Sequence, residues 1–188
     1  MPLFRASLLK CVCGLALLVL DICMATAQTP AVREYQIKAV FLFNFTQFVE
    51  WPASSFPTDH SPFVIGIIGK DPFGSYLKEV VSGEKTNGHP IVVEHYANST
   101  EIGLCHILFI SVSEEKNLGQ IIAKLKGQNV LLVSDSPDFL NQGGMIRFLT
   151  KNNRIQLQIN LSTAKMTNLM ISSKLLKLAD TISSPQSQ

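Results

Sequence analysis

The residues of this 188-residue chain whose types could carry chemistry are few: four histidines, one cysteine in the body of the chain, a pair of aspartates and a pair of arginines. His60, His89, His95 and His106 stand too far apart in sequence for any two to share one turn of helix or one strand end, which is how short metal motifs are built. Gly66-Ile67-Ile68-Gly69-Lys70 has the glycines and lysine of a phosphate loop, but the glycine spacing is too short and Asp71 follows where a Ser or Thr would be needed. No Gly-x-Ser-x-Gly elbow is present. Cys105 and His106 are neighbours, yet a thiolate–imidazole pair needs convergence in space and a third orienting group, and none is indicated. Asp135 and Asp138 follow a strand end, where α/β sheets often place functional groups; helix capping and turn formation account for them more simply. Arg147 and Arg154 flank a turn and are expected across from one another, as a basic pair able to meet an acidic partner. These residues make no catalytic set, no cofactor site and no metal site, and the chain is not expected to be an enzyme.

The elements that must position these residues are legible from apolar patterning. Arg33 to Trp51 reads as a helix with Ile37, Phe41, Phe45 and Phe48 on one face. Val40, Leu42, Phe43 and Val49 make its other faces apolar, so it must be buried or dock on something. Pro52 ends it, because proline disfavours helix at the preceding residue. Phe63–Ile68, His106–Ser111 and Val130–Val133 are short apolar runs that read as buried strands, and Pro90–Tyr96 as a further strand after an Asn87-Gly88 turn. Asp71 and Pro72 predict a helix start running to Val81. Glu114–Lys126 is amphipathic through Leu118, Ile121, Ile122 and Leu125, with Gly127 as its stop. Strand, helix and strand at these spacings make parallel βαβ units. Met145–Leu149 and Arg154–Asn160 then predict an antiparallel hairpin around Lys151-Asn152-Asn153, with a polar face of Gln156, Gln158 and Asn160. Thr163–Ala179 predicts a closing helix. The expected fold class is α/β, a single domain with a mixed β-sheet, parallel βαβ units plus a C-terminal antiparallel hairpin, covered by helices.

The N-terminus predicts export. Arg5 and Lys10 precede the uncharged run Cys11–Leu20, and Ala25-Thr26-Ala27 forms a cleavage site. The run is shorter than the ~20 residues a membrane span requires. Residues 1–27 are therefore read as a signal peptide, 28–180 as the α/β domain and 181–188 as a flexible tail. Removal of the signal leaves 14 basic and 13 acidic residues. So small a net charge gives no electrostatic basis for binding nucleic acid or an anionic membrane. Cys11, Cys13 and Cys23 leave with the signal, so Cys105 can form no internal disulfide and is expected to be buried.

Several segments together resemble the YfiR family of exported bacterial proteins. They are Lys38-Ala39-Val40-Phe41-Leu42-Phe43-Asn44-Phe45, Phe48-Val49-Glu50-Trp51-Pro52, Phe63-Val64-Ile65-Gly66-Ile67 and Cys105-His106-Ile107-Leu108-Phe109-Ile110. Val130-Leu131-Leu132-Val133-Ser134-Asp135, Gly143-Gly144-Met145-Ile146 and the run Ile171 to Ala179 follow in the family's order. The resemblance implies a periplasmic regulator that binds the periplasmic domain of a membrane diguanylate cyclase or sensor kinase. Through a cyclase, such a protein represses cyclic di-GMP signalling and biofilm formation. It also implies a cysteine at position 105 that other members pair in a disulfide, a pairing this chain cannot make. A small-molecule-binding module feeding a sensor kinase or outer-membrane receptor system is the alternative, and a homodimer stays open. The candidate partner interface is Phe48, Trp51 and Pro52 at the end of the first helix, with Arg147 and Arg154. Trp51 has a second reading, as a cap on the core beneath the loop 52–62.

Overall fold

Three runs, β2 (Phe63–Ile68), β5 (Ile107–Ile110) and β6 (Leu131–Ser134), apolar but for the terminal Ser134, are buried along their whole length. Strands without a polar face must be covered on both sides, which is the condition of a parallel sheet inside an α/β layer. The computed structural model, which describes residues 30–182, places them side by side in register, Ile67 opposite Phe109 and Phe109 opposite Val133. β4 (His89–Tyr96) pairs parallel on the outer side of β2, and β3 (Lys85–Thr86) pairs antiparallel with β4 at that edge. On the other side β7 (Ile146–Lys151) joins β6 in parallel and β8 (Arg154–Asn160) returns antiparallel. β10 (Ala179–Ile182) runs parallel to β8, giving the order β10-β8-β7-β6-β5-β2-β4-β3. The fold is the single-domain α/β architecture expected, with one mixed sheet of eight strands.

Side chains alternate along these strands, so registered residues identify the two faces. Phe109, Val133, Ile146 and Phe148 share one face. It is covered by α1 (Pro30–Phe48), whose Phe45 stacks on Phe148 with ring centroids 6.0 Å apart. Leu132 lies on the opposite face, beneath α3 (Leu118–Leu125). Among the described residues no helix is long and apolar enough to cross a membrane.

Several boundaries differ from expectation, each for a local reason. α1 stops at Phe48 rather than Trp51. Val49–Glu50 is extended as β1 and pairs antiparallel with β9 (Met170–Ile171), Val49 opposite Ile171. The buried side of α1 is Lys38, Ala39, Leu42, Phe45 and Thr46, while Ile37 and Val40 face outward; so many apolar residues left the face undetermined in the sequence. Asp71 starts a turn by accepting from the Phe73 N–H at 2.8 Å, and α2 (Tyr76–Val81) begins only after Gly74, whose φ is +58°. The segment before α3 is a 3-10 turn over Val112–Asn117.

The largest correction concerns the closing segment. Thr163–Ala179 is not one helix but α4 (Leu161–Lys165), β9, α5 (Ser173–Leu178) and the start of β10. Ser172 restarts the helix: its Oγ accepts the Leu175 N–H at 3.3 Å, as an N-cap does. Its own N–H donates to the Phe48 carbonyl at 2.8 Å. No glycine or proline marks the break, and tertiary pairing with β1 overrides the helical spacing. The expected signal peptide, residues 1–27, lies outside the described residues. Of the expected tail, 181–188, Thr181 and Ile182 belong instead to β10, opposite Ile159 and Asn160, and the rest lies outside.

Candidate functional site

α1 crosses its face of the sheet from one strand edge to the other. Its first turns meet the carboxyl ends of the parallel strands, and the chain leaving it reaches their amino ends. Each end carries a cluster of polar or aromatic side chains drawn from distant parts of the sequence.

At the carboxyl edge Lys38 is 2% exposed. Its Nζ lies 2.6 Å from Asp135 Oδ2, just past the end of β6, and 2.6 Å from Glu34 Oε1 one turn back. Tyr35 donates its hydroxyl to the same Asp135 oxygen at 2.8 Å, and the Lys38 ammonium stands 4.3 Å from the Tyr35 ring centre. Thr150 of β7 donates to Glu34 Oε1 at 2.8 Å. Burial works against ionisation of Glu34, but hydrogen bonds from Lys38 and Thr150 outweigh it and hold the carboxyl below its ordinary range. Burial first, then the Asp135 carboxylate, push the Tyr35 phenol upward. A buried ammonium held by two carboxylates and a ring fastens α1 to β6 and β7.

Asp135 and Asp138 were expected to cap or turn the chain; Asp138 lies in a turn, its carboxylate accepting from the Asn141 and Gln142 side-chain amides, whereas Asp135 holds Lys38. The Asp135–Lys38 pair spans 97 positions, and no local spacing signals it. The crevice between the ends of β2 and β5, where the strand order reverses, is the usual ligand position in such sheets. Here the chain closes it. The Lys70 N–H donates to Ser113 Oγ at 2.8 Å. Gly69, at φ +86°, lies so close that a Cβ would stand 2.5 Å from that oxygen.

At the amino edge the rings form a column. His89 stacks on Phe56 at 3.9 Å, Phe56 on His106 at 4.4 Å and His106 on Phe63 at 4.5 Å. Trp51 meets Phe63 edge-on at 4.7 Å, and its indole N–H donates to the His106 carbonyl at 3.2 Å. His106 is fully buried, and its Nδ1 accepts the Val64 N–H at 3.0 Å. A nitrogen that accepts a backbone N–H carries no proton, so the neutral ring holds its proton on Nε2. Burial lowers the pKa of His106 to about 4, partly countered by the Ser55 main chain. His89 is tied to the Ser61 carbonyl through Nδ1 at 2.7 Å.

Cys105, beside His106 in sequence, takes no part in the column. Burial, then Glu94, push its thiol up to about 12, so the thiolate that nucleophilic chemistry requires is suppressed at neutral pH. Neither cluster pairs a nucleophile with a base.

Of the residues singled out for an interface, Phe48, Trp51 and Pro52 come together, all half-buried, at the junction of α1 with the β1–β9 ribbon. The arginines are not across from one another. Arg147 faces Gln158, to which it donates at 3.3 Å, and Lys151 faces Arg154. Arg147 is half-buried with its Nε unpartnered, and Arg154 is exposed. The register separates them by about 13 Å along the hairpin. Met170, opposite Glu50 in the ribbon and 64% exposed, was not anticipated; placing it within a helix hid it.

No curated protein matches the chain. A family profile described as YfiR/HmsC-like matches residues 35–180. That span begins at Tyr35 of the carboxyl-edge cluster and takes in Lys38, Asp135, the aromatic column and the β1–β9 ribbon, so the chain belongs to the YfiR/HmsC-like family.

Proposed function

We propose that this protein is a periplasmic regulator that binds the periplasmic domain of a membrane diguanylate cyclase and represses it, lowering cyclic di-GMP output and biofilm formation. The observation that carries this reading is the family match over residues 35–180; the family supports regulation of diguanylate cyclase signalling. Two features of the site agree with a binding role. The polar cluster at the carboxyl edge holds α1, and at the strand reversal Ser113 packs against Gly69 and accepts the Lys70 N–H. What is left facing outward is a surface rather than a reaction centre.

The contact surface in this reading is the junction of Phe48, Trp51 and Pro52 with the β1–β9 ribbon, with Met170 at its exposed side and the arginines Arg147 and Arg154 on the hairpin as secondary contacts. Aromatic residues and methionine are enriched at interface cores. Gel filtration of the mature protein with the periplasmic domain of a membrane diguanylate cyclase from the same organism tests it. A complex is expected, and Met170→Glu is expected to abolish it while leaving the melting temperature unchanged. Co-elution with a sensor kinase domain instead would transfer the role to that partner class. A Met170→Glu variant that binds as well as wild type would remove the ribbon from the interface.

A further inference from the structure

On the face of the sheet away from α1, a cleft of about 410 Å³ opens between α3 and α4. Its size falls in the range of small-molecule sites, roughly 300–1,000 Å³. Leu132 and Met145 form its floor, Ile122 and Leu125 line the α3 side, and Met166 stands at the α4 side. Two glycines keep it open. A Cβ on Gly119 would meet only Gln142 Oε1 at 3.4 Å, and one on Gly143 only Ile122 at 3.6 Å. Gly143 is required by its φ of +98°, but Gly119 has no such need. Gly119 stands in the first turn of α3, and its missing side chain leaves that border of the cleft unfilled.

The single charged side chain lining the cleft is Lys126. Its neighbour Lys124 is tied to the Ser99 carbonyl, whereas Lys126 is exposed and forms no ion pair among the described residues. Met166, 69% exposed, offers a flexible and polarizable thioether that adapts to a ring or a chain. We propose that the α3–α4 cleft is a binding site for a small amphipathic anion. Its class is an aromatic or medium-length aliphatic acid whose apolar body fills the slot and whose acid group meets Lys126. This site lies on the opposite side of the sheet from α1, and the proposal stands independently of which membrane protein the chain regulates.

The test uses two fluorescent probes of the same shape, anilinonaphthalene sulfonate and its uncharged analogue phenylnaphthylamine, titrated into the native mature protein. Each is expected to saturate at one probe per chain. Lys126→Gln should weaken the sulfonate about fivefold and leave the neutral probe unchanged. Gly119→Leu, which sends a side chain into the slot without backbone strain, should weaken both by more than about tenfold. Its urea midpoint should not fall, because leucine favours helix. Met166→Trp, an exposed position at the mouth, serves if Gly119→Leu fails to fold. Unsaturable binding, or full-strength binding of both probes to the plugged variants, would overturn the site. Equal losses for the two probes in Lys126→Gln would overturn its preference for anions.

Discussion

α1 at its first turns, and the chain leaving it at the other edge of the sheet, are fastened by different chemistry. At the carboxyl edge the fastening is a buried ammonium between Asp135 and Glu34, with further hydrogen bonds from Tyr35 to Asp135 and from Thr150 to Glu34. At the amino edge it is stacked rings, with one indole N–H and two imidazole nitrogens engaging the backbone. A charge cluster is an all-or-nothing device, since each member is costly to bury without the others. A ring column divides its contribution over many weak contacts and tolerates replacement by another ring. The carboxyl end should therefore fail abruptly on a single change, and the amino end gradually.

The largest expected effect follows at the carboxyl end. Lys38→Met keeps the volume but leaves Asp135 buried with only the Tyr35 hydroxyl, and should cost about 3–5 kcal/mol in urea unfolding. The double variant Lys38→Met with Asp135→Leu removes both charges and should recover most of that loss. If the double variant is no more stable than the single one, the all-or-nothing account of this end is wrong.

At the amino end Trp51→Ala should cost less, about 2–4 kcal/mol, because the indole is only half-buried. Trp51→Phe should keep the edge contact with Phe63 and lose only the bond to the His106 carbonyl, about 1 kcal/mol. That graded series, read by thermal melting, is what separates a column from a clamp. It also bears on binding: a Trp51→Phe protein that melts normally yet loses its partner would place the indole in the interface as well as in the core.

The difference between the ends also explains what the sequence made visible. β2, β5 and β6 are continuous apolar runs, and the turns at Asn87-Gly88 and Asn152-Asn153 carry residues able to take positive φ, which they do. Those features are local. The hairpin's alternation placed Gln156, Gln158 and Asn160 on one face, yet Asn160 is buried where the strand enters the body of the protein. Lys38–Asp135 and the column of residues 51, 56, 63, 89 and 106 are assembled only by the order of strands, so no spacing announces them. A lysine inside an apolar helix was the one available signal for the charge cluster. In Thr163–Ala179 the leucines and Ile171 fit a helical period, while β1 supplied Met170 and Ile171 with a strand partner from far away in sequence.

The two ends should also separate on acidification. His106 has a pKa near 4 in the folded chain, against about 6.5 when unfolded. The unfolded chain therefore takes up the proton first. The stability held by the neutral ring is fully present above about pH 6.5 and drains away as pH falls towards 4, by roughly 2–3 kcal/mol. Glu34, held below its usual range, begins to lose its contribution only below about pH 4.5. Between these limits the amino end should loosen alone. Trp51 is the chain's one tryptophan and lies in that end, so its emission should shift over this window. His106→Phe should flatten the stability profile there at the cost of leaving the Val64 N–H unpaired. A wild-type profile flat from pH 7 to 4.5 would show that the ring is not held neutral.

The smallest effect belongs to Cys105, which adjoins the amino-edge column in sequence and is 4% exposed. Its thiol is raised to about 12 by burial and by Glu94, and Cys105 is free and buried. Reductant should then leave the melting temperature of the monomer unchanged. A soluble thiol reagent should label the native protein far more slowly than the urea-unfolded chain, because reaction needs both the thiolate and access. Labelling also reports on the column. If the amino end loosens on acidification, the lower thiolate fraction slows the chemistry while opening speeds access, so only the ratio of native to unfolded rates at each pH is informative. That ratio should rise below pH 6 in the wild-type protein and stay constant in His106→Phe. A ratio unchanged in both would mean that Cys105 is shielded by β4 and its neighbours rather than by the ring column, and that the column's loosening stops short of this residue.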